Sequence, residues 1–436
     1  MTIAIEDVLT RAGIGPFQRR LLGIFGLVWA ADAMQVLAVG FTAASIARTF
    51  DLPLAKALQT GTLFFLGMLI GAAVFGRLAD RFGRRKILLV TVVCDAVFGS
   101  LSIFAPSFET LLLLRFLTGA AVGGTLPVDY AMMAEFLPPK NRGRWLIFLE
   151  GFWAVGTVAV GLAAWAASSA GVTDVWRWVF AATALPAIIG CGLRIWVPES
   201  PMYLLKIGAT DDAKKVLNQM LRVNGKPELQ NDEALARPET GKPKGLFAPD
   251  LRRRTVLMLG IWFLVSASYY GVFTWLPAKL AGDGFGFVRG YGFLVIVAMA
   301  QIPGYALAAY GVEAWGRKPT LISFLFLSAA GCALFVVAYS TLLVGGSILL
   351  MSFALLGTWG ALYAFTPELY PTESRATGMG AAGAIARLGG LLAPSVMALL
   401  FVQSFTATLA LFSGFLVIAG LLAFLIDAET RQSALV

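Results

Sequence analysis

The chain has no histidine at all, three cysteines, and charge on only 14% of its 436 residues. Each shortage excludes something. Without histidine the usual nucleophile–base triads cannot be built, no P-loop is present, and any proton chemistry falls to carboxylates ahead of Lys or Tyr. Cys94, Cys191 and Cys332 lie in three separate apolar segments, which gives neither a disulfide framework nor a metal cluster. No enzyme is expected, and no cofactor or metal. The charged fraction is far below the roughly 25% of soluble domains. What fills the chain instead is apolar: 58% hydrophobic residues and a mean hydropathy of +0.79. Leu21 to Ala44, Leu257 to Leu276 and Leu321 to Tyr339 are runs of the length that crosses a ~30 Å hydrocarbon core.

The expected fold is an all-α membrane protein with twelve transmembrane helices. The spans fall at 19–45, 57–77, 86–105, 110–134, 144–168 and 177–197, then at 255–280, 288–312, 319–340, 343–367, 376–401 and 406–427. With the N-terminus cytoplasmic, most of the 34 Lys and Arg residues gather in inside segments, so both termini are read as cytoplasmic. That bias accounts for the pI of about 9.6 without a nucleic-acid partner. The start, MTIAIEDVLTRAGIGPFQRRLL, carries acids and no small-residue cleavage site; it reads as a short amphipathic helix rather than a removable signal peptide. The polar stretch 198–254 divides the chain into a six-span unit, 1–197, and a second, 255–436.

The two units share a pattern. Asp80-Arg81-Phe82-Gly83-Arg84-Arg85 recurs as Glu313-Ala314-Trp315-Gly316-Arg317-Lys318, and Glu135, Pro138 and Arg142 recur as Glu368, Pro371 and Arg375. Both motifs repeat at one offset of 233 residues (313 − 80 and 368 − 135). Repeated halves are a common architecture of secondary transporters, with the substrate site between them. Asp80, Arg84, Glu135, Arg142, Glu313, Arg317, Glu368 and Arg375 therefore read as a cytoplasmic latch that forms in one conformation only. The alternative is a topology signal, which the matched acids argue against.

Gly76 to Lys86 resembles the loop 2–3 signature of the major facilitator superfamily. Arg115-x3-Gly119-x3-Gly123, Pro198-Glu199-Ser200-Pro201 and Asp427-Ala428-Glu429-Thr430-Arg431 resemble its further motifs. The resemblance covers nearly the whole chain and implies two six-helix bundles that rock about a central site. AEFLPPKNRGR, FWAVGT, PGYALAAYGVEAWGRKPT and FTPELYPTESRATGMG are similar to one branch: bacterial nicotinate permeases, synaptic-vesicle-glycoprotein-related proteins and organic-ion transporters. Gln35 departs from it, standing where some members carry an acid.

Charges inside a span need a reason, because each costs at least ~2.5–3.5 kcal/mol at mid-bilayer. Arg387 is central in span 11; the resemblance makes it a charge selector for anions, and a structural ion pair is the alternative. Asp32 is equally central in span 1 and reads as a proton carrier or as a fixed partner of Arg387 or Arg115. Asp129 and Arg115 in span 4 are the further proton-coupling candidates. Glu150 reads as structural, near the Glu135/Arg142 cluster, and Asp95 carries no role. A flat aromatic acid also needs faces to stack on, offered by Tyr269, Tyr270, Phe273 and Trp275 in span 7 and Trp359 and Tyr363 in span 10. Gln301 in span 8 could donate a hydrogen bond. The expected activity is proton-coupled import of a small aromatic monocarboxylate, most simply nicotinate, by a monomer in the cell (inner) membrane. Its partners would be the anionic substrate, protons and the bilayer. A benzoate-type acid, a sugar or an organic cation is the alternative cargo, and a non-transporting sensor the alternative class.

Overall fold

The structure, a computed structural model, describes residues 2–230, 233–236, 245–282, 291–401 and 405–430. Asp80, Trp275 and Arg375 are helical in backbone, but their side chains lie outside the described residues.

A short helix α1 (Ile5–Ala12) precedes the first long one, α2 (Pro16–Thr49). The boundary follows local chemistry: Pro16 sits in the first turn, where a missing N–H is harmless, and the Gln18 side chain accepts from the Gly15 N–H at 3.1 Å. A single turn, α3 (Leu54–Ala57), leads into α4 (Gln59–Phe82), α5 (Arg84–Ser102), α6 (Phe108–Glu135), α7 (Arg142–Ser169) and α8 (Val175–Arg194). Two polar helices follow, α9 (Pro201–Lys206) and α10 (Thr210–Val223). The second half holds α11 (Arg252–Gly282), α12 (Tyr291–Met299), α13 (Gln301–Ala314), α14 (Arg317–Val336), α15 (Thr341–Phe365), α16 (Thr372–Phe401) and α17 (Phe405–Phe424). Helix thus occupies each of the twelve expected stretches. Ten helical segments are long and apolar enough to cross a membrane among the described residues; α5 and α16 fall outside that criterion.

The eighth stretch is broken, α12 giving way to α13 at Ala300. Pro303 has no N–H to return to the Met299 carbonyl, a usual cause of a kink. Ser352 of α15 bonds the nearby Val297 carbonyl at 2.6 Å, so the break is held from outside.

The repeat seen in the sequence has a structural counterpart at the same offset. A Cβ on Gly71 of α4 would collide with the Ala120 carbonyl of α6, and one on Gly304 of α13 with the Phe353 carbonyl of α15. The positions are again 233 apart (304 − 71 and 353 − 120). Backbones touch there, which only glycine allows. The halves meet along α2 with α11, α4 with α16, and α7 with α12 and α13.

The connector between the halves is sewn to the first one. Strand β1 (Thr2–Ile3) pairs in parallel with β2 (Ala234–Leu235). Arg11 reaches Glu233 at 3.2 Å, and Asn224 accepts from the Phe17 N–H at 3.0 Å while donating to Gln18 at 2.8 Å.

Candidate functional site

Between the halves lies a narrow cavity, with room in this state for about one or two waters. Its walls are mostly aromatic. The first half contributes Trp29 from α2, Leu126 from α6, and Glu150 and Trp153 from α7. The second contributes Tyr269 and Tyr270 from α11, Tyr305 from α13, and Leu356, Trp359 and Tyr363 from α15. Arg387 of α16 completes the lining.

The rings hold one another. Trp262, just outside the cavity, stands edge-on to Trp359 at 5.4 Å and to Tyr363 at 4.9 Å between centroids. Several contacts cross from half to half. Trp153 donates its indole N–H to the Tyr269 hydroxyl at 2.8 Å, Phe65 of α4 packs edge-on to Tyr270 at 4.6 Å, and Tyr130 of α6 lies 5.4 Å from Tyr363. Gly390, next but two to Arg387 along α16, has no room for a side chain against Phe65 and Tyr270. Such a cage fixes the orientation of a flat ring by offset and edge contacts.

Two charged side chains share this cavity. Arg387 is 6% exposed and bonds the Gly383 carbonyl at 3.5 Å, and among the described residues its Nε has no partner. Glu150, 3% exposed with Oε1 unpartnered, feels the Arg387 charge across the cavity. No ion pair joins either of them among the described residues. The guanidinium also hydrogen-bonds the Tyr363 side chain, and its Nε–H is the donor left over for a carboxylate.

The other buried membrane charges among the described residues belong to the first half and are not part of the cavity lining. Asp129 forms a buried ion pair with Arg194. Arg115 donates to Gln35 at 2.9 Å and stacks over Phe180 at 4.5 Å. So Gln35 stands beside the arginine, where an acid would have made a pair. Asp32 is 1% exposed, neither of its oxygens has a partner among the described residues, and its charged surroundings are Asp95, Asp129, Arg194 and Arg387.

Of the expected substrate residues, Arg387, Tyr269, Tyr270, Trp359 and Tyr363 come together here. Phe273 and Gln301 do not: both line a second, equally narrow cavity. The Trp275 side chain lies outside the described residues. Sequence reasoning missed Trp29, Trp153, Tyr305 and the facing of Glu150. The one available signal was spacing, since Glu150 with Trp153 and Trp29 with Asp32 are one helical turn apart.

The charge clusters at the helix junctions close within each half. In the first, Arg84 pairs with Glu135, which also accepts from Ser200, while Glu199 caps α5 by accepting from the Arg84 and Arg85 N–H groups at 3.2 Å. In the second, Arg317 pairs with Glu368 at 3.1 Å and Glu313 at 3.3 Å. There Thr430 donates to Glu368, and Glu429 caps α14 by accepting from the Arg317 N–H at 2.9 Å and the Lys318 N–H at 3.0 Å. Gly83 and Gly316, at φ 102° and 114°, turn the chain at the two caps. Arg142 bonds the Leu137 carbonyl at 3.2 Å and lies 3.9 Å from Glu6. Among the described residues these bonds stay inside one half. Asp80 and Arg375 lie outside the side chains described.

Two helical halves about a cavity between them are an arrangement found in membrane transporters. Two solved structures share the fold at 19% identity and a TM-score of 0.76. The partially occluded inward-open xylose transporter XylE from E. coli matches 95% of this chain and 98% of its own. The proton:xylose symporter XylE bound to 6-bromo-6-deoxy-D-glucose matches 96% and 97%. Residues 54–436 match the "Sugar (and other) transporter" family, and the chain belongs to that family of the major facilitator superfamily. It is 34% identical to the putative niacin/nicotinamide transporter NiaP of Bacillus subtilis, over 96% of this chain and 98% of the relative. It is 35% identical to the niacin transporter NiaP of Acinetobacter baylyi (88% and 87%), and 31% identical to the synaptic vesicle 2-related protein of Xenopus laevis (100% and 82%).

Proposed function

We propose that this transporter imports a small aromatic monocarboxylate, nicotinate first, together with a proton. The observation that carries the reading is Arg387, the only cation lining the aromatic cavity among the described residues. The names of the two bacterial relatives support the cargo. The substrate carboxylate docks on the guanidinium fork, and its ring stacks among Tyr269, Tyr270, Trp359 and Tyr363. Glu150 balances Arg387 while the cavity is empty. Once it carries a proton it releases the arginine to the substrate, so that anion and proton move as a neutral pair. Asp32 is the second acid offered for that proton, and Asp129, with Arg115, has less claim because Arg194 already holds it. Each half, 1–197 and 255–436, moves as one body about the cavity, the connector 198–254 spanning the two, in a monomer of the bacterial inner membrane. The junction clusters keep each half rigid.

Glu150 also favours a second reading, an organic cation seated against the acid, and a benzoate-type acid or a sugar are further cargoes for competition. The test is uptake of radiolabelled nicotinate into proteoliposomes, with and without an inward proton gradient, for wild type and Arg387→Ala. Gradient-driven accumulation lost in the variant supports anion–proton symport. Uptake that ignores the gradient leaves a facilitator, and inhibition by quaternary amines in place of nicotinate uptake supports the cation.

A further inference from the structure

Asp95 has no part in the function proposed above, yet it is 2% exposed in the interior of α5. Its neighbours show what it faces. One turn before it, Val92 comes together with Val28 of α2 over Gly190 of α8, where an added Cβ would lie 3.8 Å and 2.9 Å from them. Beside it, Ala96 packs with Ala31 of α2 and Ala187 of α8. One turn after it, a Cβ on Gly99 would meet the Gln35 amide at 2.7 Å. Helices α2 and α5 thus run side by side, with residues 28, 31 and 35 level with 92, 96 and 99. Asp32 and Asp95 fall between these contacts, and Asp32 feels the Asp95 charge.

The buried charges around this pair do not balance. Glu150 and Arg387 offset each other in the central cavity, and Arg194 of α8 holds Asp129 of α6. What remains is Asp32 and Asp95 against Arg115 of α6, two acids to one base (2 − 1 = 1 charge in excess). Arg115 is the cation that Asp95 feels, and it already donates to Gln35 at 2.9 Å. The other ionisable groups on the packed helices supply no positive charge. Cys191 faces Asp95 from α8, Tyr269 and Tyr270 of α11 line the central cavity, and α4 carries its charged residues only from Arg77 onwards, in its last turns. Among the described residues both oxygens of Asp32 and Oδ1 of Asp95 lack a partner, as does Nε2 of the fully buried Gln35 one turn from Asp32. An uncompensated carboxylate among apolar helices is costly.

We propose that Asp32 and Asp95 hold one proton between them, a proton-binding site of the first half distinct from the Arg387 cavity. A hydronium ion gives up one O–H and an Asp32 oxygen gains it, while Asp95 stays ionised beside Arg115. The excess charge is then gone. Two carboxylates at one level of a low-dielectric interior resist being ionised together. Asp95 is therefore a positioning residue, whose charge keeps the proton on Asp32. Both holders sit on helices of one half, so this half stays neutral in the bilayer whichever way the cavity faces.

Infrared spectra of the purified full chain, reconstituted in bilayers without substrate, test this independently of any cargo. Expected is a protonated-carboxyl band at neutral pH that disappears at high pH, is absent in Asp32→Asn and persists in Glu150→Gln. In Asp95→Asn the midpoint moves to lower pH by about one unit or more, a tenfold weaker hold on the proton, because a negative neighbour has been removed. A merely structural Asp95 would leave that midpoint where it was. Asp95→Glu, which keeps the charge, restores it. Asp95→Ser replaces the Asn variant if the latter melts below wild type, and shifts the midpoint likewise. No band in the wild type at neutral pH, a band lost in Glu150→Gln but kept in Asp32→Asn, or a midpoint unmoved in the uncharged variants overturns the site. A band that appears only when sodium is withdrawn assigns the excess charge to a metal cation, and overturns the proton.

Discussion

The two halves agree at their ends and differ in their middles. At the junctions the agreement is residue by residue: Arg84 with Glu135 and the Glu199 cap in one, Arg317 with Glu368 and the Glu429 cap in the other. Inside the helices the resemblance stops. Asp32, Asp95, Arg115, Asp129, Glu150 and Arg194 are buried in the first half, while within the long helices of the second Arg387 is the buried charge deepest from the junctions. Parts that both halves need to stay folded have kept their symmetry. The buried charges have lost it, as the proposed function would require: a cargo with one carboxylate and one ring needs one cation and one set of faces, not two.

The largest effect should come from the asymmetric middle. Arg387→Ala is expected to reduce nicotinate uptake about 100-fold, in line with a buried anchoring arginine, and Arg387→Lys about tenfold or more, because a point charge replaces a fork. Normal uptake by the Lys variant would mean that the arginine is structural. Next comes the buried pair: Asp129→Ala or Arg194→Ala leaves a lone charge and should cost about 3–5 kcal/mol of stability, seen as lower yield and melting temperature. Asp129→Asn combined with Arg194→Gln should recover most of it. If Asp129→Ala instead folds normally and loses only its response to the gradient, the proton rides on Asp129 and not on Glu150.

Glu150→Gln sharpens the contrast within the cavity. Accumulation driven by a gradient of one pH unit, about tenfold at the limit, should fall towards unity while exchange of labelled for unlabelled substrate persists. The smallest effects belong to the symmetric ends. Glu199→Gln and Glu429→Gln each weaken one helix cap and should each lower stability by about 0.5–1 kcal/mol. Equal shifts on thermal unfolding keep the two junctions equivalent; a large shift from one alone breaks the repeat as a structural unit.

The same contrast decides what was legible in the sequence. Charges in an apolar chain are conspicuous, so Asp80 to Arg85 and its copy at 313–318 announced the halves, the offset and the superfamily. Arg387, Tyr269, Tyr270, Trp359 and Tyr363 were readable as candidates from their depth in the spans. Facing was not. Helices α2 and α7 are apolar nearly all round, and a helix without a polar side carries no rotational signal. That is why Glu150, Trp29 and Trp153 turned towards the cavity unannounced, and why Gln301 and Phe273 could not be separated from the central set. The Asp129–Arg194 pair was hidden for another reason: its members are on different helices, and sequence distance says nothing of it.

The clasp between the N-terminal segment and the connector has a consequence for reach. With Asn224 bonded to residues 17 and 18 and Leu235 paired to Ile3, most of the stretch 198–254 travels with the first half. At its other end the connector is held to α11, where the Thr255 hydroxyl donates to the Leu246 carbonyl at 2.8 Å and the Arg252 N–H to the Ala248 carbonyl at 2.8 Å. Residues inserted between Asn224 and Leu235 therefore lengthen a loop whose two ends are both fastened to the N-terminal segment, and leave the reach from one half to the other unchanged.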